Sequence, residues 1–199
     1  MNAVYIHIPK SAGKATVRAL GLQRFISKKR AKLGFSGAGK VTFSHQLYPE
    51  LVRDGVVSKE FDDTAFKFAF CRNPYDRAVS HWQYTMRRHP DRLARGTSFL
   101  DFTRQLGRLR DWIPQHTWVD GVDLDFLGRF ERLEEDLYAV AEMIEVKIPR
   151  IPVMNSTKHD HYSTYYCDES WERIEEYYAH DFERFNYERN RHEYLQVGN

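Results

Sequence analysis

The stretch "VYIHIPKSAGKATVRAL", residues 4 to 20, holds the key to the architecture. Val4 to Ile8 is a short apolar run that reads as a buried strand. Pro9 and Lys10 end it, and Ser11, Ala12 and Gly13 follow with side chains too small to obstruct anything. A helical pattern then resumes over Ala15 to Leu22. A strand that ends in such a loop and feeds a helix is built to receive an anion, because loop amides and first-turn N–H groups point outward without intrahelical partners. Lys10 and Lys14 supply positive charge, and Thr16 adds a hydroxyl. The competing reading is an ordinary strand-to-helix turn. A Walker A loop is excluded on two counts. It needs Gly five residues before Gly13, where Ile8 stands, and Ser or Thr after Lys14, where Ala15 stands.

Working outward, three more apolar runs read as buried parallel strands: Val41 to Ser44, Phe66 to Cys71, and Phe126 to Phe130. Helical patterns lie between them. Pro49 to Arg53 has Pro at a helix-starting position, and Tyr75, Val79, Trp82 and Met86 mark one face of a longer helix. Phe99 to Leu106 and Leu133 to Ile144 read as helices, as does a segment from Asp168 whose stripe is Trp171, Ile174, Tyr178, Phe182 and Phe185. Strands alternating with helices predict an α/β fold, a short central parallel sheet flanked by helices with right-handed crossovers. At 199 residues the economical expectation is one domain over residues 1–199. The segment "KIPRIPVMNSTKHDHYSTYY", from Lys147 to Tyr166, has no clear periodicity and reads as a lid.

Composition narrows the classes further. Hydrophobic content of 42% excludes a disordered chain, and no apolar run approaches the roughly 18 residues of a membrane helix. No secretory leader is legible before Lys10, which gives the expectation of a cytoplasmic protein without an integral membrane segment. Cys71 and Cys167 are too few for a disulfide framework and read as free thiols. A net charge of +2 gives no global case for nucleic acid as a partner. The run from Ser27 to Lys40 nevertheless carries five cations and no acid, and reads as a solvated loop or an edge that attracts an anion.

The second informative stretch is "FKFAFCRNPYDRAVSHWQY", from Phe66 to Tyr84. It delivers Arg72 at the carboxyl end of a strand, where open α/β sheets place their ligands. Asn73 is suited to cap the next helix and Pro74 to start it, with Ser80 two turns on.

Together, "IHIPKSAGKAT" resembles the 5'-phosphosulfate-binding loop, and "FAFCRNPYDRAVSHWQY" the 3'-phosphate-binding motif, of sulfotransferases that use 3'-phosphoadenosine 5'-phosphosulfate (PAPS). The closest likeness is to the small carbohydrate-type enzymes related to the heparan sulfate 2-O-sulfotransferase group. It continues through "FSHQLYPEL", "FLGRFERLEEDL" and the segment from Asn155 to Glu188, and so covers nearly the whole chain. The resemblance implies a P-loop-like three-layer fold, PAPS as co-substrate and a carbohydrate hydroxyl as acceptor. It implies nucleotide binding by Lys10, Ser11, Ala12, Gly13, Lys14, Ala15 and Thr16. Within that set Lys10 meets the sulfate-bearing 5'-phosphate, while Arg72 and Ser80 hold the 3'-phosphate. His45 is implied as catalytic base, with Lys10 relieving charge on the leaving oxygen. The family usually has Thr or Ser where Lys14 and Ala15 stand, which leaves hydroxyl contacts to Ser11 or Thr16.

Sulfuryl transfer rests on positioning and electrostatics, and no metal is expected. Glu131 is a candidate to orient His45 or the acceptor. The "HDH" triplet, His159 to His161, is a weak metal signal, and Asn155, Ser156, Lys158 and Tyr162 are the lid candidates for nucleotide contact. Lys28, Lys29, Arg30, Lys32, Arg87, Arg88, Arg92 and Arg95 would attract an acidic sugar. Two other classes remain open at this stage, a nucleotide-dependent kinase of P-loop-like fold and a non-catalytic polyanion-binding protein.

Overall fold

Five short strands, β1 (Ala3–Ile6), β2 (Gln23–Phe25), β3 (Lys40–Phe43), β4 (Phe66–Cys71) and β5 (Phe126–Arg129), form one sheet in the order β2-β3-β1-β4-β5. Every pairing is parallel. The helices are α1 (Gly13–Ala19), α2 (Lys28–Gly34), α3 (Tyr48–Arg53), α4 (Lys59–Thr64), α5 (Pro74–Arg88), α6 (Phe99–Thr103), α7 (His116–Val119), α8 (Leu133–Met143), α9 (Asp168–Tyr177) and α10 (Ala179–Arg184). The structure, a computed structural model, describes residues 1–44, 46–89, 91–108, 110–148 and 160–191. It divides into two compact units, Met1–Arg72 with Thr117–Asn155, and Asn73–His116 with Ser156–Asn199.

The first unit contains the sheet, and helices cover both of its faces. On one face Ala3 and Tyr5 of β1 and Phe68 and Phe70 of β4 pack against Leu137, Val140 and Ala141 of α8, with Leu20 and Leu22 beyond α1. On the other, Phe25 stacks on Phe43 at 5.5 Å, and Phe35 meets both Phe43 (5.2 Å) and Phe61 of α4 (5.0 Å). Burial on two sides is why these strands read as continuous apolar runs rather than alternating ones. Gly128 makes close strand packing possible, since a β-carbon there would fall 2.4 Å from the Phe70 ring.

The second unit is organised by aromatic side chains. Tyr75, Ala78 and Val79 of α5 bury with Phe99, Phe102, Trp112, Trp171, Ile174, Tyr178 and Phe182, and Trp82 and Met86 pack on their edge. The expected stripes of α5 and the last helical segment are therefore core. Asn73 caps α5 by accepting from Tyr75 N at 2.9 Å. Buried Asp181 accepts from the amides of Gln115 (2.7 Å) and His116 (2.8 Å) and from His116 Nδ1 (2.8 Å), which ties the Gln115–His116 segment to α10.

Four strands were legible and a fifth was not. In β2 only Phe25 is buried, so no apolar run announces it. The basic stretch after it contains α2, capped by Ser27, whose hydroxyl accepts from Arg30 N, and anchored by buried Ala31. α1 starts two residues earlier than its apolar pattern and stops at Ala19, and the final helix breaks at Tyr178 into α9 and α10. Cys71 is buried and Cys167 exposed, and neither forms a disulfide. Among the described residues no helix is long and apolar enough to cross a membrane.

Candidate active site

β1 lies at the centre of the sheet, with β3 on one side and β4 on the other, so the chain crosses over β1 on passing from β3 to β4. Such a switch in strand order opens a crevice beyond the carboxyl ends, where open α/β sheets bind ligands. The residues that follow β1 and end β4 are His7 to Gly13 and Arg72.

The loop after β1 has an unusual backbone. Lys10 (φ 69°) and Ala12 (φ 62°) both adopt the left-handed conformation, although neither is glycine. Each costs on the order of 1–2 kcal/mol relative to a right-handed residue. Left-handed residues are one half of the backbone nests that bind anions, although the Ser11 amide here donates back to the Ile8 carbonyl at 3.4 Å. The first helical hydrogen bond of α1 runs from Thr16 N to Ala12 O at 3.0 Å, so the amides of Gly13, Lys14 and Ala15 ahead of it take no acceptor within the helix. No side chain caps this end, and its first turn has no acidic residue.

Two buried side chains hold the loop in place. Arg72, only 7% exposed, donates from Nη1 to the Lys10 carbonyl at 3.1 Å, and its guanidinium lies 3.9 Å over the Phe130 ring. Neighbouring parallel strands thus bring the "IHIPKSAGK" and "FCRNP" motifs together. Tyr5 donates its hydroxyl to the Ser11 carbonyl at 3.2 Å. Burial raises the Tyr5 phenol well above its usual range, which keeps it a neutral donor. Sequence reading missed Tyr5 as a support, because in a buried strand its ring counts only as core.

The other expected residues fall as follows. Ser11, Gly13, Ala15 and Thr16 are buried, Ala12 and Lys10 half-buried and Lys14 exposed. Thr16 donates its hydroxyl back to the Ala12 carbonyl at 3.3 Å. Ser80 is half-buried on α5, in the second unit. Glu131 is exposed, in a single 3-10 turn after β5. His45 lies outside the described residues, as do Asn155, Ser156, Lys158 and His159. Ser44, just before His45, is fully buried at the end of β3 beside β1. Tyr162 is buried in the aromatic core of the second unit. Of the basic residues, Lys28 pairs with Asp54 and Arg92 lies 3.7 Å from Asp111. Among the described residues no three His, Cys, Asp or Glu side chains converge in a metal-binding group.

This donor set suits a phosphate-like anion: uncapped amides, two lysines and a buried guanidinium at one end of a parallel sheet. Comparison with known families agrees. The model of the sulfotransferase family matches residues 2–188, running through both units. No curated protein and no solved structure matches the chain significantly. The five-stranded parallel sheet flanked by helices is the P-loop-like arrangement expected for that family, and the chain belongs to the sulfotransferase family, whose members transfer a sulfuryl group.

Proposed function

We propose that this chain is a PAPS-dependent sulfotransferase acting on a hydroxyl group, and on a carbohydrate hydroxyl in particular, with its two units working as one domain. The observation that carries the reading is the loop from Lys10 to Gly13. Two non-glycine residues are held in left-handed conformations by Arg72 and Tyr5 at the switch point of the sheet. Strain of this kind persists where the surrounding structure enforces it, and a binding loop is where it is useful.

In this reading the loop amides and Lys10 take the 5'-phosphosulfate, and Arg72 with Ser80 takes the 3'-phosphate. The acceptor oxygen attacks sulfur in line, the bond from sulfur to the 5'-phosphate oxygen breaks, and adenosine 3',5'-bisphosphate leaves with the bonding pair. Lys10 neutralises charge growing on that oxygen, and His45 takes the acceptor's proton. The carbohydrate acceptor rests on the likeness of the motifs to carbohydrate-type enzymes. The test is transfer of label from sulfur-labelled PAPS to a panel of hydroxyl-bearing glycans, with and without EDTA. Labelled glycan formed equally well in EDTA is expected. Transfer of a phosphoryl group from ATP, lost in EDTA and restored by magnesium, would replace this reading with the kinase one.

A further inference from the structure

His7 stands inside the opening motif, yet none of the roles above uses it. Its imidazole follows β1 directly and is tied from two sides. Nδ1 lies 3.0 Å from Ser44 Oγ, at the end of β3. Arg24 Nε, in β2, donates to that same oxygen at 2.9 Å. A guanidinium has no lone pair to offer, and Ser44 is fully buried, so the Ser44 hydroxyl proton goes to His7 Nδ1. Protonating Nδ1 instead would strand that hydroxyl proton in a buried place, at a cost typical of an unsatisfied donor. The chain Arg24 to Ser44 to His7 therefore fixes the neutral ring with its proton on Nε2.

The far edge of the ring meets the loop. A β-carbon at Gly13 would fall 1.8 Å from His7 Nε2 and 2.4 Å from both Cδ2 and Cε1. The imidazole fills the space that any other residue at position 13 would need, and Tyr5 stacks on the same ring at 5.5 Å. Gly13 is thus required by the approach of His7 as well as by its place in the loop.

We propose that His7 is a positioning residue for sulfuryl transfer, a role that rests on reading this loop as the phosphosulfate cradle. It acts through Gly13, against which its ring packs where the loop enters α1. Its fixed tautomer turns an N–H, and not a lone pair, toward the loop that receives negative charge. The three strands β2, β3 and β1 are coupled to the cradle by one chain of side-chain hydrogen bonds, so the site is set by the sheet's carboxyl edge and not by the loop alone.

The test separates the nitrogens from the ring. His7→Phe combined with Ser44→Ala keeps an aromatic ring against Gly13 and Tyr5 and leaves no buried hydroxyl stranded. This double variant should melt close to the parent protein yet lose about tenfold or more in kcat/KM for PAPS, the effect of a misplaced binding loop. His7→Gln, which restores a side-chain N–H, should recover part of that loss. Parent-like kcat/KM in the double variant would overturn the proposal, since packing alone would then suffice. Imidazole 15N spectra of the ligand-free protein give a second arm that does not depend on turnover. A neutral ring protonated on Nε2 is expected, becoming a tautomer mixture in Ser44→Ala, whereas a ring protonated on Nδ1 in the parent would overturn the proposal. Failure of the underlying reading looks different: the parent protein itself would neither bind adenosine 3',5'-bisphosphate nor transfer label.

Discussion

Lys10 has two separable parts, a carbonyl that receives Arg72 Nη1 and an ammonium that, in the proposed function, meets the leaving phosphate. Lys10→Ala leaves the carbonyl in place and removes the ammonium together with its alkyl stem. It should weaken nucleotide binding and slow turnover together, because the ammonium meets the phosphate in the ground state and the growing charge in the transition state. His45→Ala should instead leave nucleotide affinity nearly unchanged while lowering turnover about 100-fold or more, the scale of a lost general base. Calorimetry beside steady-state kinetics separates the two variants. Normal turnover in His45→Ala would move the base elsewhere, with exposed Glu131 the next candidate. The sequence marked Lys10 and Arg72 as candidates, since each follows an apolar strand, and the structure brings the two together. It did not make Tyr5 or His7 legible as supports, because a tyrosine or histidine near a strand end carries no mark of what it will touch.

At the scale of elements, the turn from β1 to α1 concentrates backbone strain and binding in the same few residues. Ser11, Ala12 and Gly13 revealed a place without side chains, which is a statement about size. The left-handed backbone at Lys10 and Ala12 had no such signal, because glycine is the residue that usually announces it and neither position has one. Ala12→Gly should therefore stabilise the fold by about 1 kcal/mol, by relieving that conformation. Nucleotide affinity should not rise, since a freer loop must be ordered on binding. Urea denaturation and calorimetry on one sample would check both halves, and a loss of stability would mean that Ala12 is not strained. β2 and α2 escaped sequence reading for a related reason. Each buries a single side chain, Phe25 and Ala31 respectively, and one buried residue makes no period.

For the whole molecule, strand order is what brings Lys10 and Arg72, from two distant motifs, together. Lys10 and Arg72 are 62 residues apart, and they meet because β1 and β4 are neighbours in register, with Tyr5 opposite Phe68. The alternation of strands and helices announced the parallel sheet, and the carboxyl-end rule pointed to where a ligand would lie. The division into two compact units was not legible, because no linker composition marks the step from Arg72 to Asn73 and the chain crosses it in the middle of a motif. In the proposed function this assembly recognises a nucleotide carrying phosphates at both 3' and 5' positions. Titration calorimetry of the protein with adenosine 3',5'-bisphosphate and with AMP tests it most directly. The bisphosphate should bind more tightly, and Arg72→Ala should erase the preference at a cost of about 2 kcal/mol or more, the scale of a lost charge-assisted contact. Equal affinity for the two nucleotides in the parent protein would contradict the account.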